Sequence, residues 1–85
     1  MTPSNIFECL LDLKTGESAF IQALKAGKGI NSRLSSLGFT PGVAIQMSHN
    51  YGHGPVVVIV RDTRIALGRG EAKSILITRN TDDRT

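Results

Sequence analysis

Two histidines four residues apart, His49 and His53, are the side chains in this chain best suited to hold a metal ion. On a helix that spacing would point both imidazoles in the same direction. Gly52, Gly54 and Pro55 exclude a helix here, and no Asp, Glu or Cys lies near the pair in the sequence. A hairpin loop could still bring the two rings together. We predict no designed metal site and no cofactor, and favour adventitious Zn²⁺ or Ni²⁺ binding across a contact between molecules.

The other reactive side chains match no catalytic pattern. No Ser, His and acid arrangement has a recognisable spacing, and the chain lacks both Gly-x-Ser-x-Gly and a phosphate-binding P-loop. The acidic residues fall mostly at turns and ends, where they favour turn formation and hydration. Cys9 has no cationic neighbour in the sequence that would activate its thiol, so we interpret it as a small apolar residue. These observations predict that the protein is not an enzyme.

Length and composition indicate one small domain. The 85 residues carry a net charge of +3, from ten Lys or Arg and seven Asp or Glu, and the basic residues are scattered. A dense basic stripe with interleaved aromatics would indicate nucleic-acid binding, and it is missing, so we expect no nucleic-acid partner. No apolar run approaches the roughly 20 residues of a membrane span, and the N-terminus does not resemble a signal peptide. With a single Cys, a reducing, cytoplasmic location without membrane insertion is expected.

The segment RLSSLGFTPG, residues 33–42, predicts one short amphipathic helix that stops at Gly38. Gly tolerates the left-handed conformation that ends a helix, and the Pro and Gly that follow form a turn. Asn31 or Ser32 could cap the helix start, after a loop over residues 26–29. A helix this short is unstable alone, so its apolar face must dock on the rest of the chain. That face comprises Ile30, Leu34 and Leu37.

The remaining pattern predicts short strands joined by turns. The strands cover residues 18–25, 43–49, 56–60, 64–67 and 74–78, with one helical turn over residues 71–73, a tight reversal at 62–63 and a bend at 68–70. The first strand has apolar residues on both sides, which predicts cover on both faces. The segment before Leu11 is either a short helix over residues 6–11 or irregular. Together these elements predict a mostly β fold, a closed or nearly closed barrel plugged at one end by the helix.

Four segments resemble the FeoA family, in the order in which that family carries them. They are LKTGE (13–17), RLSSLGFTPG (33–42), GPVVVIV (54–60) and IALGRGEA (65–72), and the resemblance covers residues 10–78. The turn at Asp62-Thr63 departs from the Gly often found there. The resemblance implies an SH3-like barrel of five or six strands over residues 10–79, after an N-terminal segment 1–9 and before a flexible tail 80–85. The fold is related to the C-terminal domains of DtxR-type repressors.

The resemblance also implies a function in ferrous iron transport. FeoA-like proteins are cytoplasmic accessories of FeoB, a large membrane transporter with a GTP-binding domain, and are not known as catalysts. The implied mechanism is docking on the cytoplasmic region of FeoB, with an effect on its assembly or nucleotide cycle. The alternative from a different class is a regulatory or nucleic-acid-binding SH3-like module, although these residues contain no helix-turn-helix segment. The sequence leaves open whether the protein forms a weak homo-oligomer.

Five residues are candidates for the docking surface: Arg33, Leu34, Leu37, Phe39 and Tyr51. Leu34 and Leu37 have a structural alternative as the core side chains that plug the barrel. Phe39, directly after the glycine that ends the helix, could instead pack back on its own helix. Tyr51 lies in a glycine-rich loop and combines a polar hydroxyl with a large ring, which makes it the better exposed aromatic candidate.

Overall fold

A computed structural model describes residues 8–79. In chain order the elements are β1 (Glu8–Cys9), a 3₁₀ helix (Leu10–Asp12), β2 (Ser18–Leu24), α1 (Lys28–Ser36), β3 (Ala44–His49), β4 (Val56–Val60), β5 (Thr63–Leu67), α2 (Arg69–Lys73) and β6 (Ile75–Thr78). The predicted N-terminal segment 1–9 lies largely, and the tail 80–85 wholly, outside the described residues.

The strands form one antiparallel sheet in the order β1-β6-β2-β3-β4-β5. β6 returns from the end of the chain to lie between β1 and β2. Within residues 8–79 the end strands β1 and β5 do not pair with each other, so the sheet curls around its core without a continuous ring of hydrogen bonds. The mostly β fold is confirmed, with one α-helix after the first long strand and a helical turn before the last strand.

The N-terminal end of the described chain contains a strand that the sequence did not reveal. Glu8 and Cys9 pair with Ile77 and Leu76 of β6, where the sequence left a helix or irregular chain. The 3₁₀ helix follows, and the Asp12 carboxylate accepts a hydrogen bond from the Cys9 N–H at 2.9 Å. A strand of two residues is too short to show an alternating pattern in the sequence. Its position is set by its pairing with β6.

Alternation of side chains along β3, β4 and β6 builds the core. The inward side chains are Ile45 and Met47 of β3, Val56, Val58 and Val60 of β4, and Ile75 and Ile77 of β6, all at most 2% exposed. Between them, Val57 and Ile59 of β4 are only half-buried. The β-branched run of β4 is therefore a strand curled around one core.

The outward side of β2 is open, and the prediction that both its faces are covered is wrong. Ala19 and Ile21 are 2% exposed, but Phe20 between them is 37% exposed. The pairing of β2 with β6 shifts register between Ile21 and Ala23. Such a bulge changes which side chains face inward. Leu24 accordingly packs against the core beyond it.

Helix α1 begins earlier than the sequence indicated. Lys28 is its first residue, and Gly27, with φ +96°, precedes it in a conformation that favours glycine. The prediction that Asn31 or Ser32 caps the start is wrong. The Asn31 side chain instead accepts a hydrogen bond from the Ala26 N–H at 2.9 Å and donates one to the Leu24 carbonyl at 3.2 Å. Asn31 therefore fastens the helix to the end of β2.

The end of helix α1 follows the prediction closely. Gly38 has φ +106°. Its N–H donates to the Ser35 carbonyl and the Phe39 N–H donates to the Leu34 carbonyl, both at 3.0 Å. This pair of bonds is the Schellman motif. Leu34 and Phe39 have no exposed surface, so the motif places both side chains in the core. The interpretation that Phe39 packs back behind its own helix is confirmed.

The β4–β5 hairpin turns one residue earlier than predicted. Val60 pairs with Thr63, which leaves Arg61 and Asp62 as the two turn residues. Both have positive φ, +51° and +66°. Hairpins favour this conformation because its twist matches that of the strands, although Asn and Gly adopt it more readily. After β5, helix α2 is longer than the predicted turn and includes Arg69 and Gly70.

Candidate partner-binding surface

Helix α1 exposes two of the three side chains of its apolar face. Ile30 is 40% exposed and Leu37 is 42% exposed, whereas Leu34 is fully buried. Ile30, Arg33 and Leu37 are three and four residues apart, so they lie along one side of the helix. The interpretation of Leu37 as a core residue is wrong. Leu34 and Phe39, which flank Leu37 in the sequence, are the residues of this region that enter the core.

Arg33 lies between the two exposed apolar side chains and forms an ion pair with Glu71 of α2. Its side chain is 58% exposed, and that of Glu71 is 24% exposed. The Glu71 carboxylate also accepts a weak hydrogen bond from the Gly68 N–H at 3.4 Å. An exposed ion pair contributes little stability. Its main effect is to hold the guanidinium in place beside Ile30 and Leu37. We call Ile30, Arg33 and Leu37 the helix surface.

Burial removes two of the five candidates from the accessible surface. Leu34 and Phe39 are 0% exposed, so neither side chain can contact a partner without a change in the fold. Arg33, Leu37 and Tyr51 remain exposed, and their role in binding stays a prediction. Ile30 is an additional exposed residue that is not among the five candidates, and its spacing of seven residues from Leu37 is the signal that identifies it.

The β3–β4 loop holds Tyr51 well out into solvent, at 71% exposure. Its neighbour Asn50 fixes the base of the loop. The Asn50 side-chain amide donates to the carbonyls of Leu11 and Leu13 at 3.2 and 2.8 Å. The Asn50 backbone N–H donates to the Thr15 hydroxyl at 3.1 Å. The loop is therefore anchored by polar bonds at its base, while Tyr51 projects beyond them.

The two histidines occupy different surroundings. His49 ends β3, its Nδ1 shares a hydrogen bond with the Ser48 hydroxyl at 2.9 Å, and its ring lies 5.9 Å from that of Tyr51, centroid to centroid. His53 is exposed in the loop. Over residues 8–79 no group of three or more His, Cys, Asp or Glu is arranged to hold a metal ion. Cys9 is half-buried in β1.

A second polar cluster joins the two ends of the described chain, away from the helix surface. The Arg79 Nε donates to the Glu8 carboxylate at 2.9 Å, and its Nη1 lies 3.2 Å from Glu17 Oε2. The pKa of Arg79 is raised, chiefly by the hydrogen bond to Glu8. The pKa of Glu17 is lowered, first by the hydrogen bond from the Lys14 N–H and then by Arg79. This cluster supports the pairing of β1 with β6 and has no geometry for catalysis.

No helix within residues 8–79 has both the length and the apolar character required to cross a membrane.

Comparison with known proteins gives a consistent result. A family model described as the FeoA domain matches residues 9–79. A protein of Methanocaldococcus jannaschii named "Putative Fe(2+) transport protein A" is 34% identical over 64 residues, which are 75% of this chain and 77% of that protein. The crystal structure of Stenotrophomonas maltophilia FeoA complexed with zinc, called a procaryotic SH3 domain protein, is 32% identical with a TM-score of 0.76. That match covers 84% of this chain and 89% of the other.

A longer protein shares the fold at lower identity. A manganese-dependent transcriptional repressor superposes with a TM-score of 0.78 at 15% identity, over 92% of this chain and 44% of the repressor chain. Identity this low shows the fold alone. The SH3-like architecture expected from the sequence is therefore confirmed, and the repressor adds nothing about function.

Proposed function

The chain belongs to the FeoA family of iron transport accessory proteins, and we propose that it docks on the cytoplasmic region of a FeoB-type transporter through the helix surface. FeoA proteins are not known as enzymes. Docking alters the assembly or the nucleotide cycle of the transporter. The observation that carries this proposal is the exposure of Ile30 and Leu37 on the apolar face of a helix that Leu34 anchors in the core.

Physical features of the helix surface support docking. Covering aliphatic side chains that are two-fifths exposed removes apolar surface from water, which favours binding. Arg33 between them supplies a charged group that can select the orientation of the partner. Because the Schellman motif and the bonds of Asn31 fix both ends of α1, little conformational entropy is lost on binding.

The test is binding of the cytoplasmic region of the cognate FeoB, measured by biolayer interferometry with and without a GTP analogue. The variant Leu37→Asp places a charge in the proposed contact and should weaken binding at least about tenfold. Ser35→Asp is the matched control, because Ser35 is exposed on the same helix but two residues from Leu37, on another side. It adds the same charge and should change binding less than about threefold.

Two outcomes would contradict the proposal. Equal loss of binding in Leu37→Asp and Ser35→Asp would mean that net charge matters and the helix surface does not. No binding of the wild-type protein in either nucleotide state would exclude direct docking on this region. Thermal melts followed by circular dichroism show whether either variant has lost its fold.

A nucleic-acid-binding role has support only from the shared fold. A gel-shift titration with salt separates it from the transporter role. A specific complex that persists at moderate salt would favour nucleic-acid binding. A complex that dissociates as the salt concentration rises would indicate only non-specific attraction of the nucleic acid to a basic protein.

A further inference from the structure

The outer face of the sheet carries a groove whose lining includes none of the helix-surface residues. Its volume is about 390 Å³, and it runs over β3 between the open side of β2 and the β4–β5 turn. The residues that line it are Ser18, Val43, Ala44, Ile45, Gln46, Ile59, Arg61 and Asp62. Strand pairing sets Ser18 against Gln46 and Gln46 against Ile59, so these side chains form one row across three strands.

The floor of the groove is apolar. Ala44 is exposed and pairs directly with Phe20, the residue that is 37% exposed on the open side of β2. Ile59 is half-buried in the neighbouring row. Ala44 and Ile59 thus line the groove, and Phe20 lies beside Ala44 outside the lining, on a face that the core does not use. This floor can accept an apolar side chain from another molecule.

Positive charge lies along one side of this floor. Arg61 lines the groove, and Arg64 pairs with Ile59 across β4 and β5. Both arginines are exposed, and the ion pairs within residues 8–79 involve neither of them. The nearby acid is Asp62, also in the groove lining. Two arginines against one aspartate leave the rim positive, which favours a partner with carboxylates.

Arg61 is held in a conformation that a glycine or asparagine would adopt more easily. Its φ is +51°. Its Cδ lies 3.2 Å from the position that a Cβ on Gly38 would occupy, so the aliphatic stem crosses the end of helix α1. Strain of this kind persists where the surrounding structure fixes a side chain, and it is concentrated at functional sites. The strained turn therefore fixes the stem of an arginine at the edge of an apolar groove.

We propose that this outer groove binds an acidic peptide segment of a protein partner. One apolar side chain of the peptide lies on Ala44 and Ile59, with Phe20 at the border, and its carboxylates lie on Arg61 in the lining and on Arg64 beside it. A membrane surface is less favoured as the occupant, because membrane attachment generally uses clusters of about four to eight basic residues. A single exposed aromatic at the border of the groove is poorly suited to stacking successive bases of a nucleic acid. The proposal concerns a second surface and does not depend on docking through helix α1.

Fluorescence anisotropy with labelled short peptides tests the proposal on the full chain. The probe peptides carry one Leu or Phe flanked by Glu and Asp; matched peptides carry Lys in place of the acids or Ser in place of the apolar residue. The acidic, apolar probe should bind at least about tenfold more tightly than either matched peptide. Equal binding of all three, or no binding of the probe, would refute the proposal.

Variants then locate the site. Arg61→Asn with Arg64→Gln should weaken probe binding about tenfold, and the fold should persist because Asn tolerates the positive φ of the turn. Asp62→Asn removes the opposing charge and should strengthen binding about twofold. Lys73→Gln, exposed on α2, removes one charge elsewhere and should change binding less than about twofold. If Lys73→Gln weakened probe binding as much as the double arginine variant, the effect would be due to net charge, and the proposed site would be wrong.

Other occupants of the groove give different results. Sedimentation velocity tests for self-association. If the wild type self-associates and the double arginine variant does not, the occupant is a second copy of this chain. Sedimentation with anionic phospholipid vesicles, dependent on the two arginines and without peptide binding, would make it a membrane surface. Probe-induced NMR shifts centred on Ile30 and Leu37 would place the peptide on the helix surface. Each of these outcomes overturns the proposal.

Discussion

The end of helix α1 and the β3–β4 loop both present a large exposed side chain, but the two are held in different ways. Leu37 is 42% exposed directly before a Schellman motif whose Leu34 and Phe39 are fully buried. Tyr51 is 71% exposed directly after Asn50, whose polar bonds fix only the base of the loop. Leu37 is therefore held by buried apolar residues both before and after it in the sequence. Tyr51 is held only by the hydrogen bonds of the residue before it.

This difference bears on which surface a partner would use. A side chain between two buried anchors is already ordered, so its binding costs little further entropy. Tyr51 precedes Gly52 and Gly54, both at positive φ, and no heavy atom lies within 4 Å of a Cβ built on either. Fewer neighbours therefore surround this part of the loop than the helix end. We therefore expect the helix end to contribute more to docking, although Tyr51 offers more exposed area.

Removal of the buried anchor at the helix end should have the largest effect. Phe39→Ala deletes a fully buried ring and should lower the free energy of unfolding by about 3–5 kcal/mol. Tyr51→Ala is the matched aromatic deletion in the loop and should change it by less than about 0.5 kcal/mol. Urea denaturation followed by far-UV circular dichroism measures both, since the chain has no Trp. Similar values for the two variants would break the contrast between the regions.

The polar anchor of the loop should rank second. Asn50→Ala leaves the carbonyls of Leu11 and Leu13 without their donor and should cost about 1–3 kcal/mol. Asn50→Asp separates the two roles of the side chain. The carboxylate can still accept the hydrogen bond from the Gly52 N–H, which is 3.0 Å from Asn50 Oδ1 in the wild type, but it has no N–H to donate to the two carbonyls. It should be at least as destabilising as Asn50→Ala. Recovery of wild-type stability in Asn50→Asp would show that the donated bonds do not anchor the loop.

Glycine replacements compare the rigidity of the two regions. Gly38→Ala puts a Cβ 3.2 Å from the Arg61 Cδ at φ +106° and should cost about 1–2 kcal/mol. Gly52→Ala also meets a positive φ, +89°, but the open loop around it can relax. Its cost should stay below about 1 kcal/mol. A larger loss in Gly52→Ala, measured by the same urea titration, would mean that the loop is the more constrained region.

The same contrast explains what the sequence could predict. The core of β3, β4 and β6 and the stop at Gly38 follow from local alternation and from one conformationally free residue. The strand at Glu8–Cys9 depends on pairing with the distant β6, which no local pattern records. The turn at Arg61-Asp62 is local, but it lacks the Gly or Asn that usually marks a two-residue hairpin turn. Exposure of Leu37 depends on which residues of its region enter the core, and these are Leu34 and Phe39. The outer groove likewise arises only when β2 is found open on one side.

Removal of the two exposed side chains themselves should change stability least, and it compares the two regions directly in binding. Leu37→Ala and Tyr51→Ala each remove an exposed side chain, and both should change the free energy of unfolding by less than about 0.5–1 kcal/mol. In binding to the cytoplasmic region of FeoB we expect Leu37→Ala to lose about tenfold, because the ordered helix end holds Leu37 ready for contact. Tyr51→Ala should lose less than about threefold. The reverse order would identify the loop as the docking surface and show that exposed aromatic area outweighs preorganisation in this fold.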